Sequence, residues 1–249
     1  MNKNLNFPPF RGSPLVETPD VPMIGYLKGD FGEWFLKTYN SVVDEKYKGN
    51  SVLKVLSFSD DVVKGSSTFS SIIAAGILRQ RGLELAGPAD VERARRLHES
   101  DPHTSLDTRG QYVDYGLVFR SVAEPNRRVA KALEPQIKKA LKVETIKVPI
   151  VLLSGDLKIV NDRRAENGLG IALRKEAKLF PAPMLKNNIS FNETDENGLP
   201  VPDESGARMS YTTEGGLSRL NLNRGLGVGS YWDPLAGSDP DGRVVGKKK

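Results

Sequence analysis

The chain has 249 residues, of which 38% are hydrophobic and 27% are charged, a composition typical of a folded globular protein. It contains no cysteine, which excludes disulfides and thiolate metal ligands, and its only histidines, His98 and His103, make a histidine-based catalytic triad improbable. Basic residues outnumber acidic ones by 36 to 31. Part of that excess comes from residues 247–249, which we interpret as a solvated tail.

Targeting and membrane segments are not evident in the sequence. No apolar run approaches the roughly 18 residues that span a bilayer, and the first thirty residues lack the apolar core of a secretory signal. We therefore expect no membrane span and a cytoplasmic or virion-associated location. Residues 1–29 contain five prolines and are predicted to form an extended arm.

Three helices are predicted in the first hundred residues. The first begins at Asp30, because apolar side chains recur at three- to four-residue spacing as far as Val43. The second lies between an N-cap at residues 66–68 and Gly82, which follows its last turn. The third opens at Pro88, a residue favoured in the first helical turn.

Two strands are predicted around these helices, at residues 51–59 and 110–122, where apolar and polar residues alternate. In the second strand this alternation places four apolar side chains on one side. They are Val113, Tyr115, Leu117 and Phe119.

The remainder of the chain changes from helical to extended patterns. Apolar residues at four-residue steps after Asn126 predict a fourth helix, which Pro135 should kink or split. From Ile146 onward, short apolar runs alternate with turn dipeptides. The fold class is therefore α+β, with helices in the N-terminal half and short antiparallel strands and long loops in the C-terminal half. Residues 30–145 form a helix-rich part and 146–249 a β and loop part, or 30–249 form one domain.

The stretch from Ser218 to Val245 is the most informative about function. Its apolar frame consists of Leu220, Leu222, Leu226, Val228, Leu235, Val244 and Val245. The polar, glycine and aromatic residues between these positions should mostly point to solvent. Tyr231 and Trp232 beside Asp233 are residue types that carry binding energy in paratopes. A recognition surface is one interpretation, and a glycine-rich region that closes a sheet, with Trp232 in the core, is the alternative.

The ending GGLSRLNLNRGLGVGSYWDPLAGSDPDGRVV resembles the variable proteins of diversity-generating retroelements. In those proteins, mutagenesis rewrites chosen surface codons near the C-terminus on a C-type-lectin-like scaffold. Together with YVDYGLVFRS, VPIVLLSGDLKIV and LFPAPML, the ending is also similar to an uncharacterised group of microbial proteins. The first resemblance implies a C-type-lectin-like fold and a ligand-binding module. The tunable positions it implies are Asn221, Asn223, Arg224, Tyr231, Trp232, Asp233, Asp239 and Asp241.

We expect a non-enzymatic protein that binds a macromolecular ligand, either a protein or a surface glycan, without a cofactor or a metal. The carboxylates at 192–198 and 238–242 lack the full spacing of a calcium loop. One alternative is a structural subunit of a phage or virus-like particle, suggested by the proline-rich arm and basic tail. A second alternative is a nucleic-acid binder, which the arginines at 93–96, 127–128 and 163–164 suggest. Charged residues on the outer faces of helices need no partner, and this is the favoured explanation of these arginines.

Overall fold

The computed structural model describes residues 24–100, 110–165, 167–231 and 234–248, without the side chains of residues 98–100. Residues 1–23 of the predicted arm lie outside this description. The helices are α1 (Gly29–Tyr47), α2 (Thr68–Arg79), α3 (Pro88–Ser100) and α4 (Arg127–Leu141). The strands are β1 (Ile24–Tyr26), β2 (Ser57–Ser59), β3 (Val62–Ser66), β4 (Leu83–Leu85), β5 (Tyr112–Phe119), β6 (Ile150–Leu153), β7 (Leu157–Asn161), β8 (Leu169–Leu173), β9 (Leu179–Pro181), β10 (Ile189–Phe191), β11 (Arg208–Thr212), β12 (Leu217–Leu222), β13 (Val228–Ser230), β14 (Asp239–Arg243) and β15 (Val245–Lys248).

The α+β class is confirmed, with all four described helices ending before residue 142. Most strands join one sheet in the order β10-β11-β13-β12-β5-β14-β3-β2, and β6 pairs with both β5 and β9. Most neighbours are antiparallel, but β11 with β13 and β14 with β5 are parallel. Strands from both predicted parts pair within this sheet, because β5 contacts β6, β12 and β14. Two smaller sheets are β1-β15-β4 and β7-β8.

Two apolar cores lie on opposite sides of the main sheet. The first packs α1, α2 and α4 against Leu117 and Phe119 of β5. The second contains Val118 of the same strand, together with side chains from α3, β12 and β13. Since neighbouring residues of a strand point to opposite faces, β5 contributes to both cores.

The four helices occupy the predicted segments for the expected reasons. At the start of α2, Ser67 Oγ accepts from the Ser70 N–H at 3.1 Å and Ser70 Oγ accepts from the Ser67 N–H at 2.8 Å, which forms a capping box. Pro135 does not split α4, which runs without a break to Leu141. The buried stripe of this helix, which includes Leu133 and Ile137, belongs to the first core and holds the helix together across the proline.

The strand predicted at residues 51–59 is only partly correct. Residues Ser51–Leu53 form a 3₁₀ turn, in which Asn50 Oδ1 accepts from the Val52 N–H at 3.2 Å. Extended structure begins at β2 and continues through a tight turn into β3. Asp60 and Asp61 both have positive φ, the backbone geometry of a type I′ hairpin turn.

The strand predicted at 110–122 is confirmed as β5, but its four apolar side chains do not share one side. Val113 and Tyr115 belong to the second core, whereas Leu117 and Phe119 belong to the first. The change of side occurs at a β-bulge against β12, where Gly116 has φ of +154°. A Cβ at Gly116 would lie 2.0 Å from the Leu152 carbonyl oxygen, so only glycine fits there.

The C-terminal lysines are not all a solvated tail. Lys247 lies in β15, between β1 and β4, and its ammonium contacts carboxylates of the fold. Within the described ranges, no helix is long and apolar enough to cross a membrane.

Candidate functional site

The predicted recognition stretch forms β12, β13, β14 and the connections between them. Its apolar frame is confirmed, because six of the seven frame residues are buried and the seventh, Leu226, is half-buried. Leu226 lies in the turn between β12 and β13 with φ of +63°, an uncommon conformation for a residue with a side chain. The turn therefore has a defined and constrained shape.

Asn223 shapes this turn. Its Oδ1 accepts hydrogen bonds from the N–H groups of Gly225 at 3.0 Å and Gly227 at 2.9 Å. Its own N–H donates to the Gly227 carbonyl oxygen at 2.9 Å. The side chain predicted to contact a ligand is thus engaged in holding the turn.

The sequence predicted that Asn221 points to solvent, and this prediction is wrong. Asn221 is buried near the end of β12, and its Oδ1 has no hydrogen-bond partner in the described structure. A Cβ at Gly229, its neighbour on β13, would lie 2.4 Å from this oxygen and 3.0 Å from Cε1 of Tyr231. The Asn221 side chain lies beside Gly229, and glycine at this position leaves room for both Asn221 and the Tyr231 ring.

Two exposed tyrosines lie close together at the end of β13. Tyr211 of β11 pairs with Gly229, and the ring of Tyr231 lies edge to face against the ring of Tyr211, with 6.4 Å between centroids and 88° between planes. Tyr211 is 43% exposed and Tyr231 is 37% exposed. Among the described residues, they are two of the five large apolar or aromatic residues that are exposed.

A charged group lies at the other end of the β12–β13 hairpin. Arg224 forms an ion pair with Asp241 of β14, and its guanidinium lies 5.4 Å above the ring of Tyr112. Asp239 is close to the same arginine, and burial raises the pKa of its carboxyl although Arg224 and Arg219 lower it. Its Oδ1 accepts from the Asp241 N–H at 2.9 Å, which fixes the carboxylate in a turn.

A buried ion pair lies beneath this surface. Arg219 of β12 donates from Nη2 to both carboxylate oxygens of Asp114 at 2.9 Å and from Nε to Oδ1 at 3.1 Å. Arg219 Nη1 also donates to the Gly237 carbonyl oxygen at 3.3 Å. The pair therefore connects β5, β12 and the segment that precedes β14.

We call the accessible surface around these contacts the tyrosine face. It consists of Tyr112, Tyr211, Arg224, Tyr231, Asp239 and Asp241. Four of its members are among the eight predicted site residues, whereas Asn221 and Asn223 have structural roles. Trp232 and Asp233 lie outside the described residues.

Sequence reasoning missed Tyr211 and Tyr112. Tyr211 joins the site through the parallel pairing of β11 with β13, and Tyr112 joins it through the ring contact with Arg224. Both contacts are long-range, and no local pattern in the sequence predicts a parallel pair whose partner residues are 18 positions apart.

Arg95 and Arg128, two of the arginines considered for nucleic-acid binding, pair with carboxylates of the fold. Arg95 and Arg208 both donate to Glu92 at 2.7 Å, and all three side chains are buried. Burial would raise the pKa of Glu92, but the hydrogen bonds from Arg95 and Arg208 outweigh it and lower the pKa. On the surface, Arg128 forms a two-point pair with Asp162. These cations are engaged with the protein itself.

Arg120 is buried on the side of the second core. It donates to the Leu185 carbonyl oxygen at 2.8 Å and to Oγ of Ser218 and Ser230 at 2.8 and 2.7 Å. Burial lowers its pKa to about 10. These bonds tie a 3₁₀ turn to β12 and β13, so the role of Arg120 is structural.

Carboxylates of the suspected calcium loops are used to shape turns. Asp195 Oδ1 accepts from the N–H groups of Asn197 and Leu199, both at 2.9 Å. Among the residues that the structure describes, no group of three or more histidine or acidic residues is arranged to hold a metal ion. Position 103 and the side chain of residue 98, the only two histidines of the chain, lie outside that description.

No family model, no curated protein and no solved structure matches this chain. The C-type-lectin-like fold and the resemblance to retroelement variable proteins therefore stay predictions. The functional argument rests on the geometry of the tyrosine face.

Proposed function

We propose that the protein is a non-enzymatic binding protein that holds a protein partner on its tyrosine face. The observation that carries this proposal is the exposed, edge-to-face pair of Tyr211 and Tyr231. Tyrosine offers a large rigid ring and a hydroxyl at low cost in conformational entropy, which makes it a frequent source of binding energy at interfaces.

The support beneath the face favours binding by a preorganised surface. Asn223 fixes the β12–β13 turn, and the buried pair of Arg219 with Asp114 anchors the strands below. A rigid surface loses little entropy when a partner docks, so more of the contact energy appears as affinity.

The charges on the face favour a protein partner over nucleic acid. Arg224 is neutralised by Asp241, and Asp239 adds a further carboxylate nearby. A nucleic-acid backbone would meet carboxylates at this position, whereas binding to phosphates needs an excess of lysine or arginine. A protein surface with its own mixed polar and aromatic groups matches the face better.

The test uses the full chain and begins with capture of the partner by a photoreactive phenylalanine placed at Tyr211. Binding of the purified partner is then measured by calorimetry for wild type, Tyr211→Ala and Tyr231→Ala. We expect each substitution to weaken binding by about tenfold or more, the loss typical of aromatic residues at the centre of an interface. Val143→Ala, at an exposed apolar position after α4, is the matched control and should bind like wild type.

Two outcomes would contradict the proposal. One is a captured partner that binds the Tyr211→Ala/Tyr231→Ala double variant as tightly as wild type, which would place its site elsewhere. The other is binding of the purified chain to a glycan array with loss on the same substitutions, which would make the partner a glycan instead of a protein. Thermal unfolding of each variant shows whether a loss of binding reflects loss of fold.

A further inference from the structure

A cavity of about 290 Å³ lies away from the tyrosine face, between α2, the β4–α3 junction and the end of β6. Its volume is near the lower limit for small-molecule sites, which measure about 300–1,000 Å³. Leu85, Leu153 and Phe180 give it an apolar wall. Ionisable side chains of both signs line the rest.

One end of the cavity carries more negative than positive charge. Lys247 Nζ lies 2.8 Å from Asp90 Oδ2 and 3.6 Å from Glu84 Oε2, so a single ammonium stands between two carboxylates. Asp90 Oδ2 also accepts the Gly87 N–H at 2.9 Å, which fixes its position at the start of α3. The formal charge of this group is −1, which favours a ligand ammonium.

The other end carries the opposite excess. Arg79 donates to the Gly155 carbonyl oxygen at 2.7 Å, and both Arg79 and Lys178 lie close enough to Asp156 to lower its pKa. Burial has the larger effect and raises the pKa of Asp156. Two cations against one carboxylate give a formal charge of +1, which favours a ligand carboxylate.

A tyrosine hydroxyl without a partner also belongs to this cavity. Tyr115 lines it and is 97% buried, since only 3% of its surface is exposed. Within the part of the chain that the structure describes, no group forms a hydrogen bond with its hydroxyl. Because Tyr115 lines the cavity, its hydroxyl is available to a hydrogen-bonding group of a polar ligand bound there.

From these four features we propose that the cavity binds a small zwitterion, an α-amino acid with an apolar side chain. Its ammonium lies toward Asp90 and Glu84, and its carboxylate lies toward Arg79 and Lys178. The Tyr115 hydroxyl hydrogen-bonds to the ligand, and the apolar side chain packs on Phe180 and Leu153. This site is separate from the tyrosine face, and neither proposal depends on the other.

The test is calorimetric titration of the full chain with L-leucine, L-phenylalanine and glycine. Two further probes remove one charge each: L-leucinamide lacks the carboxylate and N-acetyl-L-leucine lacks the ammonium. We expect binding of leucine or phenylalanine, at least tenfold weaker binding of glycine, and no measurable binding of the two single-charge probes. Concentrations extend to about 10 mM, where even a site with a Kd of about 1 mM is largely filled.

Tyr115→Phe tests the assignment of the hydroxyl. Because that hydroxyl has no partner in the fold, its removal should leave the thermal stability unchanged, yet weaken amino-acid binding by about three- to tenfold. Tyr211→Phe removes a hydroxyl outside the cavity and should bind the amino acid like wild type. The proposal is wrong if none of the three amino acids binds, if either single-charge probe binds as well as leucine, or if Tyr115→Phe leaves the affinity unchanged.

Discussion

The buried pair of Arg219 and Asp114 allows a sharp test of how the polar end of the sheet is held together. The change is Asp114→Asn, which keeps the shape of the side chain and removes its charge. The two side chains are only 5% and 2% exposed, so the guanidinium would remain buried without a counter-charge. Breaking such a pair typically costs about 3–5 kcal/mol.

Asparagine retains one acceptor oxygen, so we expect the lower part of that range, about 3 kcal/mol. For a chain of this size each kcal/mol shifts Tm by about 2–4 °C, which predicts a fall in Tm of about 6–12 °C. Thermal unfolding by circular dichroism and urea titration measure the change independently. The urea m-value should stay constant, because the surface exposed on unfolding is the same.

Two further variants separate burial from pairing. Asp162→Asn breaks a surface pair of similar geometry with Arg128 and should change Tm little, because exposed pairs contribute little to stability. The double variant Asp114→Leu/Arg219→Met removes both buried charges and should be more stable than Asp114→Asn, since an apolar pair leaves no unpaired ion. The reasoning is refuted if Asp114→Asn unfolds within about 0.5 kcal/mol of wild type. It is also refuted if the double variant is the less stable of the two.

Two other predictions concern a glycine and a buried carboxylate. Gly229→Ala would place its Cβ 3.0 Å from the Tyr231 ring, so we expect it to lower the free energy of unfolding by about 1–3 kcal/mol and to weaken partner binding. Gly225→Ala meets only ordinary contacts and should leave the stability measured by urea titration unchanged. Equal stability of the two variants would contradict this prediction. Hydrogen bonds from Arg95 and Arg208 lower the pKa of Glu92, so the ionised carboxylate stabilises the fold above the ordinary glutamate pKa of about 4.3. This stabilisation is lost as the pH falls through the lowered pKa. Glu92→Gln should therefore have a lower urea midpoint than wild type at pH 7, and the difference between the two midpoints should become smaller below about pH 4. A difference that does not change with pH would contradict the assignment.

Local patterns predicted the elements whose signals are local. The three- to four-residue spacing of apolar side chains and the cap at Ser67 predicted α1 and α2 within a few residues. The three-residue strands β1 and β4 were missed, because so short a segment carries no recognisable period. They form strands because β15 lies between them, and that pairing is a long-range contact.

The candidate site was predicted in outline and corrected in detail. Leu220, Leu222 and Val228 are buried as the apolar frame required. Asn221 was expected at the surface because alternation within one strand suggests one wet face. In the fold, β12 lies between β5 and β13, and all six of its residues are buried. What covers each face of a strand is decided by long-range packing, which the strand's own residues do not reveal.

The cavity was invisible in the sequence for the same reason. Its charged groups come from α2, β4, α3, the β8–β9 connection and β15, which are far apart along the chain. The sequence predicted Lys247 to be part of a solvated tail, but β15 pairs with β4 and places the Lys247 ammonium beside Asp90. Only the assembled fold brings these groups together.

The bulge at Gly116 explains how one strand contributes to both proposed sites. Without the extra residue, strict alternation would place Val113 and Tyr115 on the side of Leu117, and Asp114 would point into the second apolar core. With the bulge, Asp114 lies on the same side as Leu117 and meets Arg219, while Tyr115 points to the opposite side and lines the cavity. The two sites therefore use opposite sides of β5, so substitutions at Tyr231 and Tyr115 should act on different ligands. A variant that weakens both would indicate a disturbed strand instead of a lost contact.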